Sequence, residues 1–285
     1  MDGPDRGVAV VAVSALAAAY LLSLKYPLSW ILAMSSAGLA YGALSSVLHA
    51  RGLLFMAGAA PHVALASASV SALFFSGLGL WWLSSSILLG VVIIVTTGYL
   101  VYKGLNADIA AGFLVSLSST IAVLALYRVS VSGGEVIGLI IGDPLLTNPG
   151  EALLLLAMAA TLLAVFATHG WRLVYLGLLR EESLLGTARG LLWDLSLYLV
   201  LGVVTVGMLR IVGFVLEHVL LILPGIVASH IVKGWRKGLL TSAVIGLSAS
   251  IAGLAIAVVL DISPSGASGA ILVLLFLYTR ILRGG

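Results

Sequence analysis

The chain has 285 residues, of which 61% are hydrophobic and 9% are charged, and its formal net charge is +3. Ordinary soluble domains carry about a quarter charged residues, so this composition excludes a soluble globular protein and indicates that lipid is the main solvent. The chain has no cysteine, which excludes disulfides and thiolate metal ligands. Its small positive charge indicates membrane orientation and not nucleic-acid binding.

Apolar runs of helix length follow one another along the chain, which favours membrane-spanning helices over a barrel of short alternating strands. We predict an all-α, polytopic transmembrane helix bundle of about nine to ten spans. The predicted spans are residues 7–24, 28–48, 56–77, 79–102, 109–127, 150–169, 194–209, 211–232, 238–260 and 268–282. The first run also resembles a secretion signal, but the mixed charge of the preceding MDGPDR favours a retained span.

The distribution of positive charge predicts the orientation of these spans. With a cytoplasmic N-terminus, only Lys25, Arg128 and Arg210 of the 14 Lys and Arg residues face outward. Cytoplasmic loops are normally the ones rich in Lys and Arg, so we expect both termini on the cytoplasmic side of the cell membrane. This distribution requires that both 194–209 and 211–232 cross the bilayer.

Two connections between the predicted spans stand out. Residues 128–150 form a long, glycine-rich and partly apolar stretch, typical of a re-entrant or interfacial segment at the outer face. On the inner side, residues 170–194 contain a short polar helical pattern that includes Glu181, Glu182 and Arg189. Such a helix either docks a soluble partner or lies on the membrane surface.

The stretch SVSGGE at residues 130–135 is similar to the signature motif of ABC ATPases. The chain has no GxxxxGK[ST] phosphate loop, however, and the stretch lies outside the membrane in the predicted orientation. We therefore expect this chain not to be an ATP-hydrolysing enzyme.

The neighbouring residues Glu217 and His218 are the strongest functional candidates. Glu217 is the only acidic residue placed well inside a predicted span, and ionisable groups at bilayer depth are costly unless they are paired or used. A carboxylate and an imidazole also form half of a metal site. The alternative is an ion pair between Glu217 and Arg210, which precedes it by about 10 Å of helix.

The remaining candidates each have two interpretations. His62, near the middle of the third span, is either a metal ligand or gate, or a buried histidine bonded to a carbonyl freed beside Pro61. Pro224 and Gly225 mark either a gating break or a tolerated kink in the eighth span. Asp194 is interpreted as a helix-start acid.

Six short motifs run through the chain in a fixed order. Residues 49–66 read HARGLLFMAGAAPHVALA, and residues 209–228 read LRIVGFVLEHVLLILPGIVA. The others are KGLNADIAAGFLVSLSS, GDPLLTNPG, REESLLGTARG and DISPSGA. Together they resemble the integral-membrane subunit of the ABC zinc/manganese permease family, whose corresponding motifs include GDALSHA and LRVVGVLLVSALLILPAATA.

The resemblance runs from about Trp30 to the C-terminus. It implies an extra N-terminal span at residues 1–27 and an ABC importer permease domain at residues 28–285, with a cytoplasmic coupling loop at 172–192. It also implies a homodimer that moves a divalent transition-metal ion, zinc or manganese, with no stably bound cofactor.

By the same resemblance, ABC ATPase subunits would dock at the coupling loop through Glu181, Glu182 and Arg189. An extracytoplasmic metal-binding protein would deliver the ion to the outer face of the permease.

Two departures from the family motifs concern the cargo site. The family's aspartate, four residues before the motif histidine, is Gly58 here, while Glu217 and His218 stand where the family has small or apolar residues. We therefore predict a relocated metal site formed by His62, Glu217 and His218. The alternatives are an ABC importer of a metal chelate or other small solute, and a proton-driven secondary transporter that works through Glu217.

Overall fold

The computed structural model of the chain describes residues 3–75, 79–131, 142, 144–178 and 188–283. Within these residues it contains ten α-helices and one short 3-10 helix, Pro144–Leu146. In chain order the α-helices are α1 (Gly3–Ser23), α2 (Leu28–Ala50), α3 (Leu54–Phe74), α4 (Leu80–Tyr102), α5 (Ala107–Val131), α6 (Pro149–Leu178), α7 (Ala188–Val212), α8 (Phe214–Ile231), α9 (Trp235–Leu260) and α10 (Pro264–Arg283). All ten are long and apolar enough to cross a membrane. They correspond one to one with the predicted spans, so the predicted α-helical membrane bundle is confirmed.

Helix α2 lies at the centre of the bundle because its small side chains let its neighbours approach closely. It is mostly buried, and it contacts α6, α8 and α9 most extensively. A Cβ on Gly38 or Gly42 would overlap the carbonyl groups of Gly246 or Ser242 in α9. Lipid provides no hydrophobic force between helices, so close contacts of this kind hold the bundle together. Ser242 Oγ adds a hydrogen bond by donating to the Gly42 carbonyl.

Helix α8 also packs against α2, around Pro224 and Gly225. The helix is continuous from Phe214 to Ile231 despite the proline. The Gly225 N–H donates to Ser45 Oγ at 2.9 Å, and Ser45 Oγ donates to the Ile222 carbonyl at 3.2 Å. A Cβ at Gly225 would overlap the Ser45 backbone. Pro224 and Gly225 therefore serve close packing between α2 and α8, and the helix does not break there.

A single residue joins α7 to α8. Gly213 has a φ of 83°, a left-handed value that favours glycine, and it lets the chain change direction between the two helices. Ser265 Oγ of α10 donates to the Val212 carbonyl at 2.8 Å, and Gly142 packs its backbone against Val212 and Gly213. Two separate segments therefore cover this junction. Of the predicted outer segment 128–150, residues 132–141 and 143 lie outside the described residues.

Replacing Gly246 with alanine is expected to lower the thermal unfolding temperature by several degrees. The added Cβ would overlap the Gly38 carbonyl, and overpacking of a close contact costs about 1–3 kcal/mol. The measurement is thermal unfolding of the purified protein in detergent. Gly7→Ala is the control, because nothing lies within 4 Å of a Cβ at that position. Equal unfolding temperatures for the two variants would contradict the packing described for α2 and α9.

Candidate functional site

His62 of α3 and His218 of α8 lie side by side in the bundle. Their ring centres are 5.0 Å apart, with an interplanar angle of 89°. Phe214 completes the group, since its ring centre lies 4.9 Å from that of His62 and 4.5 Å from that of His218. Both histidines are half-buried. The pair is therefore packed on one side and accessible on the other.

Each imidazole is oriented by a hydrogen bond at Nδ1. The His218 Nδ1 lies 2.8 Å from the Phe214 carbonyl, which can only accept, so this nitrogen carries the hydrogen and Nε2 carries a lone pair. The His62 Nδ1 lies 2.8 Å from Ser119 Oγ of α5, a hydroxyl that can accept as well as donate. Nε2 is therefore the nitrogen of each imidazole through which a cation could be approached, and the Gly58 backbone also contacts the His218 ring.

The depth of the pair follows from where the two helices begin. His62 is eight residues into α3, roughly 12 Å from its first residue. Phe214 is the first residue of α8 and contacts His62 directly. Helix α8 therefore begins beside the middle of α3, and Gly213 places the α7–α8 junction within the bundle.

Gly58 lies one turn before His62, at the position of the aspartate in the family motif. The nearest atom to a Cβ built on Gly58 is Ile222 Cδ1 at 3.7 Å, so the position has room for a side chain. His218 interacts with the Gly58 backbone.

Glu217 is fully buried, and its carboxyl group contacts the Tyr41 hydroxyl of α2 through Oε1. That hydroxyl also lies 3.2 Å from the Val204 carbonyl of α7. A phenol has one hydrogen, so both contacts are hydrogen bonds at once only when the carboxyl group carries a proton and donates it to Tyr41. Glu217 Oε2 has no hydrogen-bond partner among the described residues. Glu217 therefore ties α8 to α2 and α7.

The alternative ion pair between Arg210 and Glu217 is wrong. Arg210, in the last turn of α7, bonds to Glu151 in the first turn of α6, with Nη1 and Oε1 2.6 Å apart. The seven-residue spacing places the two groups on one face only if the helix is continuous, and Gly213 interrupts it. The arginine consequently joins two helix ends, while the glutamate stays inside the bundle.

Of the three predicted metal ligands, the structure brings His62 and His218 together, whereas Glu217 bonds to Tyr41. No group of three His, Asp or Glu side chains that could hold a metal ion occurs among the described residues. Glu181 and Glu182, predicted to couple to an ATPase, lie outside the described residues. Arg189 lies in the first turn of α7, where only its backbone is described.

Several residues of this region were not singled out from the sequence. Ser119 lies on α5 near the exposed Ser116 and Thr120, and this polar stripe on an apolar helix was a detectable signal. Tyr41 carried a signal too, as the one phenol in a span of small residues.

The interpretation of Asp194 as a helix-start acid is wrong. Helix α7 begins six residues earlier, at Ala188, and Asp194 forms a buried ion pair with Arg51. The predicted span began at Asp194, whereas the helix includes the preceding apolar residues 190–193 and extends back to Ala188, so the predicted helix start was too late.

A bundle of ten membrane-length helices among the described residues is the architecture of a polytopic membrane protein. A sequence profile of the ABC 3 transport family matches residues 8–283, and the chain belongs to this family. The predicted resemblance to an ABC permease subunit is therefore confirmed. No curated protein matched the chain.

Two solved structures share the fold. One is PsaBC from Streptococcus pneumoniae in complex with Fab, with a TM-score of 0.75 and 20% identity, covering 93% of this chain and 95% of that chain. The other is an inward-facing conformation of a transporter described as metal-chelate type ABC, with a TM-score of 0.71 and 16% identity, covering 95% of this chain and 97% of that chain. The likeness extends over nearly the whole chain and establishes an ABC permease fold.

Tyr41→Phe is expected to destabilise the protein by about 1–3 kcal/mol, because it removes the hydrogen-bond partner of a buried carboxyl group. Tyr41→Phe/Glu217→Leu should recover much of this loss, since both polar groups are then absent. Thermal unfolding in detergent is the measurement, and Tyr127→Phe is the control, because Tyr127 is 71% exposed. Unfolding of Tyr41→Phe at the control temperature would show that the contact contributes little.

Proposed function

We propose that this chain is the membrane-spanning permease of an ATP-driven importer of a divalent transition-metal ion, zinc or manganese. The observation that carries this proposal is the pair His62 and His218, two half-buried imidazoles with ring centres 5.0 Å apart inside a membrane bundle. Neutral imidazole suits borderline transition metals, and zinc above all. Ionisable groups at this depth usually line a transport pathway.

A site with two protein ligands suits a cargo that must leave again. Structural zinc sites are closed by four protein ligands, whereas an ion in transit needs positions that water or a second subunit can fill. Conduction also requires that binding be weak enough for release. Glu217 would join His62 and His218 only if its contact with Tyr41 opened, so we propose it as a conditional third ligand.

The exposed polar face of α5 supports a homodimer around the pathway. Ser116 and Thr120 are exposed on the helix that carries Ser119, the partner of His62. Half-buried histidines are poorly suited to direct contact with lipid tails. A second copy facing this surface would enclose the pair in a polar pathway between subunits.

The remaining components follow from the family and from what the chain lacks. The sequence contains no phosphate loop, so ATPase subunits would supply the energy from the cytoplasmic side, docking at residues 172–192. An extracytoplasmic metal-binding protein would deliver the ion. Membership of an ABC family favours this mechanism over a proton-driven transporter.

Import of a metal chelate is the second candidate, favoured by the glycine at position 58. Gly58 removes a carboxylate from beside His62 and leaves room at that position. One structure with the same fold is described as a metal-chelate type ABC transporter. A wider, less charged site would suit a chelated metal better than a free ion.

His62→Ala and His218→Ala are each expected to reduce zinc or manganese uptake at least about tenfold, because each removes an imidazole ligand. Uptake is measured in proteoliposomes that contain the permease together with its ATPase and binding-protein subunits. His230→Ala is the matched control, since it removes a histidine from the far end of the same helix.

Glu217→Gln tests the conditional ligand in the same assay. The amide can still bond to Tyr41, so uptake stays near that of the wild type if Glu217 only ties the helices, and it falls as in the histidine variants if Glu217 binds the ion. Wild-type uptake in both histidine variants, with correct folding, would contradict the proposed site.

Gly58→Asp is expected to tighten binding of the free ion about tenfold or more, because it places a carboxylate one turn from His62 on the same helix face. Binding of free and chelated zinc is measured by calorimetry on the purified transporter. Gly7→Asp on α1 is the control, since nothing lies within 4 Å of a Cβ at that position. Stronger uptake of chelated than of free metal by the wild type would favour the second candidate.

A further inference from the structure

Arg51 occupies the short turn between α2 and α3, and its side chain is buried. The guanidinium donates through Nη1 to the Leu173 carbonyl of α6 at 2.8 Å and forms an ion pair through Nη2 with Asp194 of α7. The Arg51 and Asp194 side chains are only 5% and 4% exposed. One side chain thus connects the end of α6, the start of α7 and the α2–α3 turn.

The ends of α6 and α7 are also held to each other without Arg51. The Arg172 guanidinium lies over the Trp193 ring at 5.0 Å, and His169 stacks on the same ring at 5.1 Å. These contacts join one turn of α6 to one turn of α7, so the two helix ends form a unit. We call these two helix ends, which are joined through His169, Arg172 and Trp193, the stem pair.

The turn that holds Arg51 leads directly to the histidine pair. Helix α3 starts at Leu54, three residues after Arg51, and continues without interruption past His62. Helices are stiff over such distances, so a displacement at the α2–α3 turn is carried along α3 to His62. Arg51 also follows the last residue of α2, the most buried helix of the bundle.

We infer that Arg51 is the positioning residue that transmits movement of the stem pair to α3, and so to the cargo site. The inference rests on the proposed function, in which ATPase subunits dock at the segment between α6 and α7. A buried ion pair resists separation because each charge would be left without a partner in a medium of low polarity. The stem pair therefore cannot move away from the α2–α3 turn freely, and the two move together.

The absence of cysteine from the chain allows a direct test with single thiol reporters. Tyr175→Cys places a reporter on α6 beside the stem pair, and Phe55→Cys places one at the start of α3; the two native side chains are 45% and 68% exposed. The rate of maleimide labelling is measured in the complete transporter, with and without trapping of its ATPases by ATP and vanadate. With Arg51 and Asp194 intact, the trapped state is expected to change both rates.

Asp194→Asn is then introduced into each reporter chain, because the amide keeps the shape of the side chain and removes its charge. The effect of the trapped state on the labelling rate should remain at Tyr175→Cys. At Phe55→Cys this effect should fall by about tenfold, which is at the upper end of known coupling effects. Uptake per ATP hydrolysed should fall with it. The double exchange Arg51→Asp/Asp194→Arg should restore part of both signals.

Glu151→Gln is the matched control, because it removes the ion pair with Arg210 far from the stem pair. Persistence of both labelling changes in Asp194→Asn would overturn the inference, and so would loss of both, which indicates a merely structural role. An unchanged rate at Phe55→Cys with Arg51 and Asp194 intact would also overturn it. If the cargo is not a divalent metal ion, metal uptake is absent while the labelling rates behave as described. The two hypotheses can therefore fail separately.

Discussion

The fold depends on the close approach of helices around α2. Water is absent from the bilayer interior, so apolar side chains gain nothing by leaving lipid for protein, and contact at short range has to replace the hydrophobic effect. Glycine and serine in α2 allow this contact with α9 and α8. The same closeness brings backbone carbonyls within reach of Ser45 and Ser242, so packing and hydrogen bonding are achieved at the same positions.

Polar side chains occupy three distinct settings in this bundle. Glu217 and Tyr41 are buried and bond to one another, which fixes α8 in place. Arg51 with Asp194, and Arg210 with Glu151, join helix ends. His62 and His218, by contrast, are half-buried imidazoles packed against each other. That contrast separates the groups that hold the fold from the groups available to a cargo, and the histidine pair can stay accessible because the other polar groups fix the helices around it.

The sequence was sufficient to predict the spans, because hydropathy over some twenty residues reports directly on the lipid environment. It was also sufficient to place His62 and His218 among the candidates, since few ionisable groups interrupt the apolar runs. The partners of Arg210, Glu217 and Asp194 could not be predicted. Spacing tells which residues share a face within one helix, whereas these contacts join different helices, and Gly213 redirects the chain between two of the residues concerned.

The contacts of Tyr41 have a consequence for how the chain is made. The Tyr41 hydroxyl is bonded to residues 163 and 176 positions later in the sequence, and the Gly42 carbonyl to one 200 positions later. At synthesis rates of about 5–20 residues per second, α2 would wait roughly 10–40 seconds for these partners. During that time its phenol and its glycine-rich face are inside the bilayer without their final contacts. Folding of the core therefore cannot proceed from the N-terminus, and it is completed only when the last third of the chain has been inserted.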